Sequence, residues 1–191
     1  MTKKISYRGK CILCGDPGVG KTSLLAQYVD GKFSDEYHQT IGANFLIKEI
    51  DLSNIIGELN IKNLKLKEDI KGKGFKLYFW DLGGQHDKLF SNEYYFVQAV
   101  GGFIIYDILN KESFNNIDFW ISKVRELSGE IPFIIVGNKI DKNQERQVQI
   151  EEAKQKAKQY GVEYIETSAK SNKNVNKAFE NLSIKILNTL K

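Results

Sequence analysis

Cysteine is nearly absent from this chain: Cys11 and Cys14 are the only two in 191 residues. So few exclude the disulfide framework of a small secreted domain. Their C-x-x-C spacing invites a redox or zinc reading. On a strand, however, residues three apart point to opposite faces, and no second cysteine pair or nearby histidine completes a metal site. They read as small core residues in a reducing compartment. Histidine is as scarce, and His38 and His86 read as exposed loop residues. No run of about 18 apolar residues occurs, and Met1-Thr2-Lys3-Lys4 is not followed by a secretory apolar core. A cytoplasmic protein is expected. The net charge of +4 is mild and argues for no nucleic-acid partner. Apolar and charged contents of 41% and 27% are ordinary for a globular chain. The length suits one domain, 1–191, with a real core.

What is present begins with Gly15-Asp16-Pro17-Gly18-Val19-Gly20-Lys21-Thr22. This string fits the phosphate-loop pattern G-x-x-x-x-G-K-[ST] in the context that gives it meaning. Lys10–Cys14 before it reads as a buried strand, and Ser23–Val29 after it as a helix with leucines on one face. A glycine turn between strand and helix aims backbone N–H groups and the positive helix end at one point, which suits a polyphosphate. The loop from Gly15 to Ser23 is therefore the candidate nucleotide cradle. Lys21 adds charge for the β- and γ-phosphates, and the Thr22 hydroxyl can ligate Mg²⁺. The motif says nucleoside triphosphate and leaves the base open.

After Asp30-Gly31-Lys32 a polar loop runs from Phe33 to Gly42. Phe33 through Phe45 resembles the first switch of the Ras superfamily, and Thr40-Ile41-Gly42-x-x-Phe45 is most similar to the Rab branch. The resemblance implies that the Thr40 hydroxyl binds Mg²⁺ while its N–H meets the γ-phosphate. Phe33 would lie across the guanine, and Tyr37 would cover the phosphates. A loop hydroxyl can report a γ-phosphate only by moving to meet it.

Ala43–Leu52 has strand-like composition, and Phe75–Trp80 is the next clear strand. Residues 53–74 between them depart from the Rab pattern, where a short hairpin turn is expected. Leu59, Ile61, Leu64 and Leu66 alternate with polar residues, which predicts an extended hairpin. Its lysines 62, 65, 67, 71 and 73 leave two readings open, a basic partner-binding flap or tolerated loop growth.

Trp80-Asp81-Leu82-Gly83-Gly84-Gln85 is the next chemical site. Asp81, ending a strand, suits a water ligand of Mg²⁺, the Walker B role. Gly84 can bring its N–H to the γ-phosphate, and Gln85 can orient an attacking water. D-x-x-G-Q is the Ras-superfamily pattern. Leu82-Gly83 replaces the usual Thr-Ala of Rab proteins, so Gly-Gly-Gln looks like the Arf branch. His86 follows Gln85, and a modest pH effect on hydrolysis stays open. Pro17 stands where the family has a small residue beside the γ-phosphate; its ring and missing N–H put hydrolysis in question. A helix is expected over Asn92–Val97. Phe45, Trp80 and Tyr95 match an aromatic effector triad of Rab proteins, with core packing the competing reading for Trp80.

Gly102–Asp107 and Pro132–Gly137 are continuous apolar runs of the kind buried on both faces. A helix around Ser113–Leu127 separates them. This alternation predicts a parallel sheet with functional residues at the strands' carboxyl ends. Asn138-Lys139-Ile140-Asp141 matches the N-K-x-D motif of GTPases. By that resemblance Asp141 accepts from guanine N1–H and the 2-amino group, Asn138 ties the base loops together, and the Lys139 stem lies along the base. A site that leaves adenine unpaired rejects it by about 10⁴-fold or more. Strand Val162–Glu166 leads into Thr167-Ser168-Ala169-Lys170, which matches the family's S-A-K. There the Ala169 N–H would meet guanine O6 and Lys170 would flank the ring. A helix from Asn174 to about Leu190 presents Val175, Ala178, Phe179, Leu182 and Ile186 on one face. The chain then stops at Lys191 without the prenylated cysteines usual in Rab proteins, and Thr2 stands where myristoylation needs glycine. Either the chain is trimmed or a lipid anchor is lacking.

The expectation is an α/β, Ras-like phosphate-loop fold: a mostly parallel six-stranded sheet flanked by helices, with an extended β2–β3 hairpin. The implied function is a small GTPase switch, nearest Rab, that binds GTP or GDP with Mg²⁺ and hydrolyses GTP slowly through Gln85, Lys21 and Thr40. Thr22, Thr40 and Asp81 form the metal set. Effector, exchange-factor and activating proteins are expected at 33–45 and 81–96. A monomer is expected, with attachment to a membrane through partners left open. The rivals are a GTP-binding scaffold with little hydrolysis and a phosphate-loop ATPase or kinase.

Overall fold

In the computed structural model the described residues are 7–35, 43–48, 68, 75–83 and 93–189, with backbone alone for 43–48 and Phe75. Thr40, Tyr37, Gly84, Gln85, both histidines and nearly all of 53–74 lie outside them. Strand β1 (Tyr7–Cys14) leads through the glycine-rich loop into helix α1 (Lys21–Asp30). Strands β2 (Ala43–Lys48) and β3 (Phe75–Leu82) follow, then a 3₁₀ turn at Glu93–Tyr95 and strand β4 (Ala99–Asp107). Helices α2 (Lys111–Asn115) and α3 (Ile117–Ser128) precede β5 (Phe133–Asn138) and a 3₁₀ turn at Ile140–Glu145. Helix α4 (Ile150–Tyr160), β6 (Glu163–Glu166) and helix α5 (Val175–Thr189) complete the described chain.

The strands lie in the order β2-β3-β1-β4-β5-β6. Five of them run parallel, and β2 adds antiparallel at the β3 edge. The connection that would form the extended hairpin falls outside the described residues, Glu68 aside. The chain leaves β1 toward β3 on one side and reaches β4 on the other. The carboxyl end of β1 is thus a topological switch point, where open α/β sheets bind ligands. Register sets Leu13 beside Asp81 and Asp107 beside Asn138, so the strand-end motifs line one edge.

Period-two alternation along β1 splits the core. Cys11 and Leu13 pack with Leu24 and Leu25 of α1 and Phe179 and Leu182 of α5. Ile12 and Cys14 pack with Trp120, Ile121 and Val124 of α3 and Ala153 of α4. The two thiols therefore sit on opposite faces, both free and fully buried. Burial pushes both up, Cys14 to about 12. Helix α5 buries Val175, Ala178, Phe179, Leu182 and Ile186, the face its periodicity predicts. Phe179 stacks on Tyr28 at 3.8 Å and meets Phe79 and Phe103 edge-on at 5.0 and 4.9 Å, joining α5 to α1, β3 and β4.

Two local expectations need correction, and one element was not foreseen. The helix expected over 113–127 is two: Asn110 caps α2 by accepting from Ser113 N at 3.1 Å, and Asn116, with ψ at −3°, turns the axis before α3. The helix expected at 92–97 is a single 3₁₀ turn, because Gln98 at φ 62° swings the chain directly into β4. Helix α4 is a further element that sequence reading passed over. Its buried Ala153 and Ala157 are small, spaced four apart, and set in a run of Lys, Glu and Gln that masks the apolar face.

Candidate nucleotide-binding site

Gly15 at φ 140° enters the loop so tightly that a Cβ there would stand 2.1 Å from the Ile105 carbonyl oxygen. Gly20 at φ 93° closes it, where a Cβ would lie 2.4 Å from Asn138 Nδ2. Gly20 also caps α1 without any side-chain acceptor, leaving first-turn N–H groups to an outside acceptor. Lys21 is buried, and its Nζ donates to the Gly15 and Asp16 carbonyls at 2.8 Å each. Burial lowers its pKa, against the pull of Asp81, Cys14 and Asp16. Pro17 and Gly18 are exposed at the tip, and Val19 is buried.

Thr22 Oγ1 donates to Asp81 Oδ2 at 2.5 Å, across from the end of β1. A hydroxyl and a fully buried carboxylate form a hard-oxygen donor pair, the chemistry Mg²⁺ prefers. These residues fit the expected metal set, with Thr40 outside the described residues.

The Asn138–Asp141 and Thr167–Lys170 strings converge on the Gly15–Thr22 loop through one amide. Asn138 Nδ2 donates to the Val19 carbonyl at 3.0 Å, while its Oδ1 accepts from Thr167 Oγ1 at 3.1 Å and Ala169 N at 3.3 Å. Ser168 Oγ donates to Asp141 Oδ1 at 2.6 Å, orienting that exposed carboxylate. Lys139 adopts φ 72°, and its Nζ pairs with Asp107 Oδ2 at 2.7 Å. Lys170 Nζ lies 5.7 Å from the Phe33 ring centroid and donates to Asp35 Oδ1 at 2.7 Å, which raises its pKa. Phe33 is half-buried against the core.

Sequence reading missed several partners. Asp107 was discoverable as another acid ending a strand. Asp35, Asn116, Trp120 and Arg146 carried no local signal, since each acts through a residue distant in the chain. Arg146 donates to both oxygens of Glu166 at 2.7 and 3.0 Å, and Tyr164 donates to the same carboxylate at 2.6 Å. This places a partly buried ion pair beside the Thr167–Lys170 loop. Trp80 proves half-buried: it packs on the α3-side core, meets Tyr94 and Tyr95 at 6.0 and 6.3 Å, and has Lys10 Nζ 4.5 Å from its centroid. Tyr94 is largely exposed, and the Phe45 side chain lies outside the described residues.

A parallel sheet with a glycine-rich cradle at its switch point defines a phosphate-loop nucleotide-binding protein. The Ras family model matches residues 10–188. Among curated proteins, the chain is 37% identical over 191 residues to human (Homo sapiens) Ras-related protein Rab-8B, covering all of this chain and 84% of that protein. It is 35% identical over 188 residues to Ras-related protein Rab-13 of Bos taurus, 98% of this chain and 84% of that one. Ras-related protein Rab-8 of Diplobatis ommata is 37% identical over 191 residues, with 100% and 82% covered. The chain belongs to the Ras family and is a Rab-like small GTPase. No helix among the described residues is long and apolar enough to cross a membrane.

Proposed function

We propose that this protein is a guanine-nucleotide switch that binds GTP and GDP with Mg²⁺ and hydrolyses GTP slowly. The observation that carries the reading is Asn138, one amide joining the phosphate loop to both base-reading loops, with Asp141 oriented beside it by Ser168. Asp141 is assigned the guanine N1–H and 2-amino group, Ala169 N–H the O6, and Lys139, Lys170 and Phe33 the faces of the base. Loop N–H groups and Lys21 hold the β- and γ-phosphates. Thr22, Thr40 and Asp81 would hold Mg²⁺, which would supply charge neutralisation at the phosphate oxygens. Gln85 orients water in line with the γ-phosphorus; the oxygen–phosphorus bond forms as the bridge to the β-phosphate breaks, yielding GDP and phosphate. No arginine occurs in 33–40, so no finger is supplied in cis, and intrinsic turnover on the order of 10⁻⁴ s⁻¹ is expected. Thr40 and Gly84 would be held by the γ-phosphate and released after hydrolysis.

By likeness to the Rab relatives, the protein would act as a cytoplasmic monomer in membrane traffic. It would recruit effector, exchange-factor and activating proteins at 33–45 and 81–96 and reach membranes through partners. Its second switch would work in the Gly-Gly-Gln form seen in the Arf branch. A scaffold with little hydrolysis is the second reading, favoured by the exposed Pro17 at the loop tip.

The test has two arms. Nucleotide released from the purified protein should be guanine, and Asp141→Ala should lose it; bound adenine nucleotide would sink the reading. Single-turnover GTP hydrolysis should slow in Gln85→Leu, whereas equal rates remove Gln85 from the mechanism. No hydrolysis in wild type, with retained binding, selects the scaffold.

A further inference from the structure

Asp16 sets a carboxylate second in a loop built to hold polyphosphate, where uncompensated negative charge repels the ligand. Its two oxygens are taken by donors some hundred positions away in the chain. Trp120 Nε1 donates to Oδ1 at 2.7 Å, and Asn116 Nδ2 donates to Oδ2 at 2.7 Å. Both donors belong to the corner where α2 meets α3. Trp120 is buried there, on the same helical face as Ile117, Ile121 and Val124, so its indole N–H is held rigidly. The Asn116 side chain makes no cap bond to α3, although the residue occupies the cap position. The Asp16 carbonyl is gripped separately by Lys21 Nζ. Backbone and side chain of one loop residue are thus fixed by two different elements.

We propose that Asn116 and Trp120 are positioning residues for the phosphate loop, acting through Asp16. They draw its carboxylate toward the α2–α3 corner and disperse its charge over two hydrogen bonds, so that the loop accepts a triphosphate. The proposal rests on the guanine-nucleotide reading above. Charge-assisted bonds are the strong class, roughly twice a neutral one, so losing one should register in affinity. A tryptophan that merely filled the core would act independently of the charge at residue 16.

The experiment measures equilibrium binding of fluorescent GDP and of a non-hydrolysable GTP analogue, with Mg²⁺, at low and high salt. The proteins are wild type, Trp120→Phe, Asn116→Ala, Asp16→Asn, and the doubles of Asp16→Asn with each of the other two. Trp120→Phe should weaken the GTP analogue roughly tenfold and GDP less, with Asn116→Ala roughly threefold in the same direction. Both effects should shrink at high salt. Asp16→Asn should restore binding in each double, because the carboxylate no longer needs neutralising. Wild type that binds neither nucleotide overturns the guanine reading itself. Wild type that binds, with both single variants unaffected or neither rescued by Asp16→Asn, overturns the positioning role alone. Should Trp120→Phe fail to fold, the Asn116→Ala pair decides by the same criteria.

Discussion

Replacing Asn138 by alanine removes one amide and three hydrogen bonds, to the Val19 carbonyl, from Thr167 Oγ1 and from Ala169 N. All four residues are at most 3% exposed, so the stranded groups reach water only if the new cavity hydrates. A buried polar group stripped of its partner costs about 1–3 kcal/mol. The Ala169 bond is long at 3.3 Å and the Thr167 hydroxyl can rotate, so both belong at the low end of that range. The Val19 carbonyl has no such freedom. The sum is about 3–5 kcal/mol, set against a total stability of about 5–15 kcal/mol for a domain. Urea unfolding of the nucleotide-free protein should show the midpoint fall with an unchanged slope. Because the lost bonds join the cradle to the loops carrying Asp141 and Ala169, GDP affinity in the folded variant should also fall, by tenfold or more in rough terms. Asn138→Asp keeps the acceptor for Thr167 and Ala169 and should fall between wild type and alanine. A loss below about 1 kcal/mol in Asn138→Ala would refute the claim that these bonds are made and buried.

Gly20→Ala puts a Cβ 2.4 Å from Asn138 Nδ2 at φ 93°, whereas Gly18→Ala, at φ 76°, meets nothing within 4 Å. The first should lose more than about 2 kcal/mol and the second only about 1–2 kcal/mol of backbone strain, read from urea midpoints; equal losses would contradict the close approach. Arg146→Ala leaves the partly buried Glu166 carboxylate with Tyr164 as its donor and should cost about 1–3 kcal/mol, with Tyr164→Phe nearer 1 kcal/mol in the same assay. Cys11 and Cys14 should resist iodoacetamide at pH 8 in the native protein and react once it is unfolded. A thiol pKa raised by folding, as for Cys14 at about 12, leaves stability intact below the unfolded value and erodes it as pH rises toward 12. Cys14→Ala should flatten the loss of stability above about pH 9, and an unchanged slope there would contradict the assignment.

The chemistry-bearing strings of this protein were legible because each is local. A phosphate loop needs only glycines, a lysine and a hydroxyl at fixed spacing between a strand and a helix. Asn138–Asp141 and Ser168–Lys170 are as compact, and the apolar runs of β4 and β5 announce a parallel sheet. The period of α5 was equally plain, since five large or small apolar residues recur at helical spacing. Boundaries and kinks were less so: nothing in the string around Asn116 shows that one helix ends there and the next begins. Helix α4 escaped because its buried face is two alanines among charges.

What the amino-acid order determined by itself is therefore the list of groups and the type of ligand they suit. What only the tertiary structure decided is who holds each group in place. Asn138 reaches Val19, Asp141 leans on Ser168, and Asp16 is drawn to Asn116 and Trp120, contacts spanning from 27 to 119 positions of chain. No local pattern can encode such pairs, because they arise when β1, β4 and β5 bring their carboxyl ends to one edge of the sheet. The face on which each cysteine lies followed from strand alternation alone. The electrostatic setting of Lys21 and Asp81, both buried at that edge, required the sheet to be assembled first.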